Sequence, residues 1–376
     1  MLMTQKFSIT SKLGPSIGSS IRNWMKLVIS SGSVDLKYYP RVFLVDLISA
    51  IGIPFRIYEN LRLNDKIYST ELKAPPLFIL GHWRSGTTHI HNLLCQDPQF
   101  GYITMLNAAF PKSFISNNFF KWIMKKLIPK KRPMDNMEMG INIAQEEEMA
   151  LGNLFPYSFY NAFYFPRRLI EFYQKYVRFA NISKKIKNQW QKVYYFLLKK
   201  ATLYMNGKRL VLKNPVNTAR IKYLLEMFPD AKFIHIYRNP YDVYGSTQIL
   251  YQKMMRAFMF QKISDKDLEQ DIFRLYSEIM KTYFKEKELI PKGNLVEIKF
   301  EDLEIKPLDQ LDKIYSALNL TGFENAIQCF KNYLKTLINY KKNKFELDNQ
   351  TIEKISKNWK FTIDKWGYDV PKLDLY

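Results

Sequence analysis

The segment from Leu77 to Thr88 constrains the fold of this chain more than any other stretch. Its sequence, LFILGHWRSGTT, starts as a short apolar run, turns at a glycine and continues into a helix-like pattern through Leu93 and Leu94. A strand, a glycine loop and a helix in this order form a cradle for an anion, because backbone N–H groups and the positive helix end face the same point. The segment therefore predicts a phosphate-binding loop.

The loop lacks the lysine of the ATP-binding Walker A loop, which reads GxxxxGK[ST]. Thr87 occupies the position of that lysine, and the basic residue is Arg84, inside the loop. A P-loop nucleotide kinase would need a lysine at position 87 and ligands for Mg²⁺, and neither is present in the pattern. We therefore expect the loop to hold a phosphate group in a different way from an ATPase or a kinase.

Short apolar runs that are typical of strands in a buried parallel sheet recur along the chain. They are Leu77–Leu80, Arg209–Leu212, Lys232–Tyr237 and Leu295–Phe300. Each of the last three is followed by a turn and a helical pattern. This alternation predicts an α/β fold with a mainly parallel sheet.

The domain organisation follows from where this pattern begins. Residues 1–73 are expected to form an N-terminal helical extension, and residues 74–376 the main domain. A helical insertion is expected at about 100–206. Its aromatic run Phe155–Phe165 more often fills a core than lines a ligand site, but an insertion beside a phosphate loop could also build an acceptor pocket.

The chain is strongly basic, with 57 Lys and Arg against 35 Asp and Glu and a formal net charge of +22. Such an excess favours anionic partners, such as a nucleotide, an acidic glycan, nucleic acid or a membrane surface. Solvated surface lysines explain much of this excess of positive charge equally well.

Two cysteines do not make a disulfide framework. His89 and His91 lie on different faces of a helix, so no metal is implied.

Membrane-spanning and secretory segments are not expected. The most apolar run, Val42 to Phe55, contains Asp46 and is too short to cross a bilayer. Ile21, Trp24, Met25 and Val28 recur at helical spacing, which predicts a helix docked on its own core, with a membrane-surface helix as the alternative. We expect a cytoplasmic protein, with peripheral membrane contact as an option.

A second informative segment runs from Phe233 to Ser246. An apolar strand delivers Arg238 at its end, Asn239 and Pro240 start a helix, and Ser246 lies about two turns into it. An arginine at a strand end can hold a phosphate through two parallel hydrogen bonds, and a serine on the next helix can add a hydroxyl. Arg238 could instead form a structural pair with the nearby Asp242.

Together the two segments resemble the fingerprints of the sulfotransferases that use 3′-phosphoadenosine 5′-phosphosulfate (PAPS). The first fingerprint, P-[RK]-S-G-T-T, is matched from Arg84 onward, with Trp83 in place of the proline. The second, R-x-P-x-D-x-x-x-S, is matched from Arg238 to Ser246. A third element, VEIKFEDL at 296–303 followed by Lys306-Pro307, resembles a further family segment. The resemblance runs from about Pro75 onward and implies a P-loop-like three-layer fold, with helices on both sides of the sheet.

The resemblance implies roles for the matched residues and a reaction without a metal. The loop would bind the 5′-phosphosulfate, Arg84 would stabilise the leaving oxygen, and Arg238 and Ser246 would bind the 3′-phosphate. Lys213, after the second long strand, would help hold the sulfuryl group, as in the branch that includes bacterial and protein-tyrosine sulfotransferases. The backbone N–H groups of Ser85, Gly86, Thr87 and Thr88 would complete the cradle, together with the hydroxyls of Thr87 and Thr88.

The catalytic base is expected among three adjacent glutamates. Cytosolic small-molecule sulfotransferases place a histidine two residues after a lysine, and here that position is Pro215. The other branch uses a glutamate beyond the loop helix. Glu147 is the favoured candidate, with Glu146 and Glu148 close behind, because like charges raise the pKa of at least one member. A solvated acidic turn is the alternative reading, and His82 and His235 are the next candidates.

The acceptor is the least constrained part of the function. The basic and aromatic stretch Phe119–Arg132 suits an anionic membrane surface or an acidic glycan, and a structural helix with solvated lysines explains it equally well. A lipid, a carbohydrate or another small molecule with a hydroxyl or an amine is therefore expected, and nucleic acid is not. A basic membrane-binding or nucleic-acid-binding protein without catalysis explains the charge but not the paired motifs.

Overall fold

The computed structural model describes residues 15–128, 137–338, 340 and 345–371. These residues form two compact units. The first unit contains residues up to Leu72, Tyr102–Gly207 and Gln252–Ile263, and the second contains Lys73–Gly101, Lys208–Tyr251 and the chain from Ser264 onward.

The second unit is built on a five-stranded parallel sheet in the order β2-β3-β1-β4-β5. The strands are β1 (Leu77–Leu80), β2 (Phe100–Gly101), β3 (Arg209–Lys213), β4 (Lys232–Tyr237) and β5 (Leu295–Lys299). The four strands that the apolar runs predict are confirmed. The edge strand β2 was not predicted, because two residues are too few to show a periodic pattern.

Helices make up most of the remaining regular structure in the two units. The helices are α1 (Ile21–Ser30), α2 (Tyr39–Ile51), α3 (Ile53–Ser69), α4 (Thr87–Leu94), α5 (Met105–Ala109), α6 (Asn118–Leu127), α7 (Glu147–Leu154), α8 (Leu169–Tyr176), α9 (Lys184–Tyr204), α10 (Ile221–Met227), α11 (Pro240–Leu250), α12 (Arg256–Phe258), α13 (Asp265–Glu286), α14 (Phe300–Ile305), α15 (Pro307–Ala317), α16 (Phe323–Thr336) and α17 (Asn349–Trp366). Among the described residues, none of these helices is long and apolar enough to cross a membrane.

The two faces of the sheet are both covered, as the alternation of side chains requires. On one face, Ile79 and Ile234 join a buried core with Ile90 and Leu93 of α4 and with Ile314 of α15. On the other face, Phe78 stacks on Phe233, with ring centroids 5.6 Å apart, and His235 stacks on Tyr283 of α13 at 3.8 Å. The P-loop-like α/β fold with flanking helices is therefore confirmed.

The first unit is helical and packs largely through aromatic side chains. Trp24 of α1 is fully buried between Tyr164 and Phe260, at 6.1 and 5.4 Å between ring centroids. This confirms α1 as a helix docked on its own core. In the run Phe155–Phe165, Phe159 and its aromatic neighbours are buried, so the run fills the core as the composition favoured.

Candidate functional site

The loop after β1 has an unusual backbone. Gly81 has a φ of 140° and Gly86 a φ of 97°, and a side chain at either position would collide with its surroundings. At Gly86 the obstacle is the ring of Phe300. Arg84 adopts a φ of 71°, a left-handed conformation that costs a non-glycine residue about 1–2 kcal/mol. The loop is thus held in a tight shape that aims the Arg84 side chain.

Ser85 fixes the loop to the sheet. Its N–H donates to the His82 carbonyl at 3.2 Å, and its hydroxyl lies 2.8 Å from the His82 carbonyl and 3.1 Å from the Ile236 carbonyl. The N–H of Ser85 therefore donates within the loop. Helix α4 begins at Thr87, and the first N–H groups of a helix have no acceptor inside the helix. These N–H groups are the donors that the start of α4 offers to an anion.

The two sequence motifs meet at the carboxyl edge of the sheet. Arg84 Nε donates to Ser246 Oγ at 2.7 Å, across 162 positions of sequence. Arg238 Nη1 donates to the Arg84 carbonyl at 3.4 Å. Two arginines and a serine from the two motifs therefore form one cluster with the loop. This cluster can bind two anionic groups close together.

Arg238 also pairs with Asp242, as the alternative reading allowed. Its Nη2 lies 2.9 Å from Asp242 Oδ2, and its guanidinium lies over the Phe300 ring at 4.6 Å. The Arg238 side chain is 15% exposed and that of Asp242 43%, so the pair fixes a mostly buried arginine from its solvent side. The pair and the contact with the loop occur together, so they do not exclude each other.

A set of contacts that sequence reasoning missed supports the second motif. Glu301 accepts a hydrogen bond from the Asn239 N–H at 3.0 Å and another from the Tyr368 hydroxyl at 2.8 Å. Trp366 stacks on Tyr237 with ring centroids 4.9 Å apart. Glu301 belongs to the matched FEDL segment, so its presence could have been noticed. No local pattern identifies Trp366 as a neighbour of β4.

Lys213 lies at the end of β3 with only 1% of its surface exposed. Its Nζ donates to the Thr88 hydroxyl at 3.4 Å, so the lysine reaches the first turn of α4. Burial, with a further contribution from the Lys213 charge, lowers the pKa of His91 to about 3. The His91 ring beside this lysine is therefore uncharged at neutral pH.

Thr218 connects the loop after β3 to the loop after β1. Its hydroxyl accepts from the Gly81 N–H at 2.7 Å and donates to the Gly81 carbonyl at 3.2 Å. The sequence analysis did not single out this residue. A threonine in the stretch NPVNTAR carries no recognisable signal, because its function depends on a partner 137 positions away.

The two histidines named as reserve candidates are buried and uncharged at neutral pH. Burial lowers the pKa of His82 to about 4 and that of His235 to about 3. The His82 Nδ1 lies 2.9 Å from the Trp83 carbonyl, and its ring meets Tyr276 edge-on at 4.9 Å. His235 stacks on Tyr283, in agreement with a packing role.

The three glutamates belong to the first unit, at the start of α7, and all are buried. The alternative of a solvated acidic turn is therefore wrong. Glu148 accepts hydrogen bonds from the Ser158 hydroxyl at 2.8 Å and the Phe159 N–H at 3.0 Å. Glu147 accepts one from the Tyr194 hydroxyl at 2.9 Å. Burial, reinforced by the neighbouring carboxylates, raises the pKa of Glu147 to about 7.

Across the described parts of the chain, no group of three or more His, Cys, Asp or Glu side chains is arranged to hold a metal ion. The positive charges of the cluster are those of Arg84, Arg238 and Lys213 and of the helix N-terminus.

Comparison with known proteins agrees with this fold and this cluster. Residues 75–325 match the sulfotransferase family, and the chain belongs to that family. The resemblance carried by the two motifs is therefore confirmed, and the kinase alternative left open by the loop is not supported. The matched range contains the cradle, Lys213 and the second motif.

The chain is similar to the omega-hydroxy-beta-dihydromenaquinone-9 sulfotransferase Stf3 of Mycobacterium bovis and to that of Mycobacterium tuberculosis. Both are 29% identical over 354 residues, which are 94% of this chain and 91% of the relative. Among solved structures, sulfotransferase STF1 of Mycobacterium tuberculosis and sulfotransferase STF9 of Mycobacterium avium each give a TM-score of 0.68. Each has 16% identity and covers 94% of this chain and 98% of its own. At that identity they support the fold alone.

Proposed function

We propose that this sulfotransferase moves a sulfuryl group from PAPS to the hydroxyl group of a lipid. The observation that carries the donor assignment is the hydrogen bond from Arg84 to Ser246, at 2.7 Å, which joins two anion-binding motifs in one unit. PAPS has a 5′-phosphosulfate and a separate 3′-phosphate, so it needs two such groups of donors. Adenosine nucleotides without the 3′-phosphate need only one.

The residues of the second unit fit this donor. When bound, PAPS supplies an activated sulfuryl group and leaves as 3′-phosphoadenosine 5′-phosphate. The N–H groups at the start of α4 and the Arg84 guanidinium bind and polarise the 5′ side, and Lys213 places a further cation beside Thr88. Arg238 and Ser246 bind the 3′-phosphate. Fixed donors of this kind are worth roughly 3–4 kcal/mol each at a transition state in which charge develops on the leaving oxygen.

Glu147 is the proposed general base that takes the proton of the acceptor hydroxyl. Its pKa of about 7 matches the operating range of a base at neutral pH. The Tyr194 hydroxyl orients one carboxylate oxygen. Glu148 is less suitable, because one of its oxygens accepts two hydrogen bonds that fix the start of the following segment at Ser158 and Phe159. Glu146 precedes the helix as its N-cap residue.

The acceptor is inferred from the relatives rather than from a pocket. Their name gives an omega-hydroxylated dihydromenaquinone as the acceptor, and the similarity extends over 94% of this chain. We therefore assign a hydroxyl at the end of a long apolar chain to this enzyme as well. An isoprenoid quinone is the first acceptor class to test.

The test is a transfer assay with PAPS carrying radioactive sulfur. Detergent-dispersed omega-hydroxylated menaquinone, the same quinone without the hydroxyl, and a soluble hydroxylated sugar are offered in parallel, with EDTA present. We expect label only in the hydroxylated quinone. Label only in the sugar would refute the lipid acceptor but leave the donor intact. Absence of label in every acceptor, with intact folding, would count against PAPS as the donor.

A further inference from the structure

Helix α2 carries an apolar stripe on its exposed side. Tyr39, Phe43, Leu47 and Ile51 follow one another at intervals of four residues, and all four are exposed, Phe43 by 70%. Residues four apart lie on one face of a helix. The opposite face is also apolar and is buried through residues such as Val45. The helix is thus apolar on both sides, which in water leaves one face without a partner.

Helix α3 exposes large apolar side chains along its first half. Its exposed side carries Ile53, Ile57 and Leu61, the last with 81% of its surface exposed. Its inner side carries Glu59, which is 1% exposed and forms an ion pair with the equally buried Lys200. A water-facing helix places its large apolar residues inward. The three exposed apolar side chains of α3 therefore suit apolar surroundings.

Helix α6 continues this surface with aromatic and basic residues. Phe119 stacks on Phe55 of α3, with ring centroids 5.6 Å apart and planes almost parallel. Trp122 is 55% exposed, and the Lys126 ammonium lies over its ring at 4.0 Å. Lys125 is exposed beside them. Tryptophan and lysine are the side chains that favour the boundary between lipid tails and headgroups.

We propose that the exposed faces of α2, α3 and α6 dock in the plane of an anionic lipid bilayer. Apolar side chains enter the tail region, while Trp122, Lys125 and Lys126 remain at the headgroups. The net charge of +22 favours an anionic bilayer as the partner of these faces, because a second copy of this chain would carry the same charge and repel the first. The proposal deepens the lipid-acceptor assignment but does not require it. Residues 129–132 of the basic stretch named in the sequence analysis lie outside the described residues.

Flotation of the full-length protein with lipid vesicles tests the proposal. Vesicles of phosphatidylcholine alone and of phosphatidylcholine mixed with phosphatidylglycerol are compared at low salt. The variant Phe43→Ser/Leu47→Ser/Leu61→Ser removes three exposed side chains from the docking faces. The matched control, Leu289→Ser/Ile305→Ser, removes two from the second unit that are 52% and 76% exposed.

We expect the wild type to float with the mixed vesicles. The triple variant should lose roughly a hundredfold in the partition coefficient, because each apolar side chain contributes through its buried area. The control should bind like the wild type. Lys125→Glu/Lys126→Glu should lose roughly tenfold or more on mixed vesicles and little on neutral ones. All variants should keep wild-type turnover on a detergent-dispersed acceptor, which separates docking from catalysis.

The proposal is overturned if the wild type does not float with mixed vesicles at low salt. It is also overturned if the control loses as much binding as the triple variant. A dimer in analytical ultracentrifugation that the triple variant abolishes, without vesicle binding by the wild type, would assign the same faces to a second copy instead.

Discussion

The Arg84 backbone is the point at which local strain and chemistry coincide. A left-handed φ of 71° is uncommon for a residue with a side chain, and the conformation is kept here by the surrounding loop. In this conformation the Arg84 guanidinium donates a hydrogen bond to the Ser246 hydroxyl at 2.7 Å. An observed backbone outlier that aims a cation at an anion cradle agrees with its proposed place at the leaving oxygen.

Replacement of Arg84 separates strain from chemistry. Arg84→Ala and Arg84→Gly both remove the guanidinium, so each should lower kcat by about 10²- to 10³-fold. Only glycine adopts a positive φ without a steric penalty, so Arg84→Gly should be more stable than Arg84→Ala by about 1 kcal/mol. Turnover with labelled PAPS and thermal melting measure the two effects. Near-normal turnover in either variant would remove Arg84 from the chemistry.

The pH dependence of turnover should identify Glu147. With a pKa raised by burial to about 7, the carboxylate base is mostly protonated below pH 6 and mostly ionised above pH 8. We expect kcat/KM to rise with pH around a midpoint near 7, and Glu147→Gln to lose about 10²- to 10⁴-fold together with that rise. Glu148→Gln is the control, because its amide oxygen can still accept the bonds from Ser158 and Phe159.

The free energy of unfolding should also depend on the Glu147 pKa. It should fall with rising pH, whereas turnover rises. The ordinary pKa is 4.5, so between about pH 4.5 and 7 the unfolded carboxyl ionises while the folded one keeps its proton. Wild-type stability should therefore fall across this window by up to about 3 kcal/mol relative to Glu147→Gln. Unfolding by denaturant at a series of pH values measures the difference. Parallel pH profiles for the two proteins would contradict a raised pKa.

At the scale of elements, the sequence predicts the strands but not the side chains that pack against their ends. The apolar runs predicted β1, β3, β4 and β5 because buried parallel strands have a continuous apolar sequence. The motifs predicted that Arg238 ends a strand and that Ser246 follows on α11. Contacts such as Glu301 with Asn239 depend on how the elements pack against one another. A single sequence does not predict that packing.

The Thr218 bridge between two loops gives a prediction for this scale. Thr218→Val keeps the shape but removes the hydroxyl, so the Gly81 N–H and carbonyl lose their bonds at 2.7 and 3.2 Å. A buried backbone group left unpaired costs about 1–3 kcal/mol, so we expect that loss of stability and weaker nucleotide binding. Thr218→Ser keeps the hydroxyl and should behave nearly as the wild type. Wild-type stability in Thr218→Val would show that the two hydrogen bonds of this hydroxyl do not stabilise the loops.

At the scale of the whole molecule, the sequence predicted the family region better than the grouping of its parts. The family match covers residues 75–325, which contain both phosphate-binding motifs. Contacts place residues up to Leu72 with Tyr102–Gly207 in one unit, through pairs such as Asn23 with the Gly152 carbonyl at 3.1 Å. Periodicity describes each helix alone, so it could not predict this grouping. The division at residue 73 stays a prediction, as does the cytoplasmic location.

We infer that the two motifs together bind one donor with two phosphate groups. Calorimetric titration with 3′-phosphoadenosine 5′-phosphate and with adenosine 5′-phosphate, both in EDTA, tests this inference. We predict that the first binds at least tenfold to a hundredfold more tightly, and that Arg238→Ala removes most of this difference, because charge-assisted hydrogen bonds to the 3′-phosphate are lost. Equal affinity of the wild type for the two nucleotides, or a difference that survives Arg238→Ala, would contradict the account.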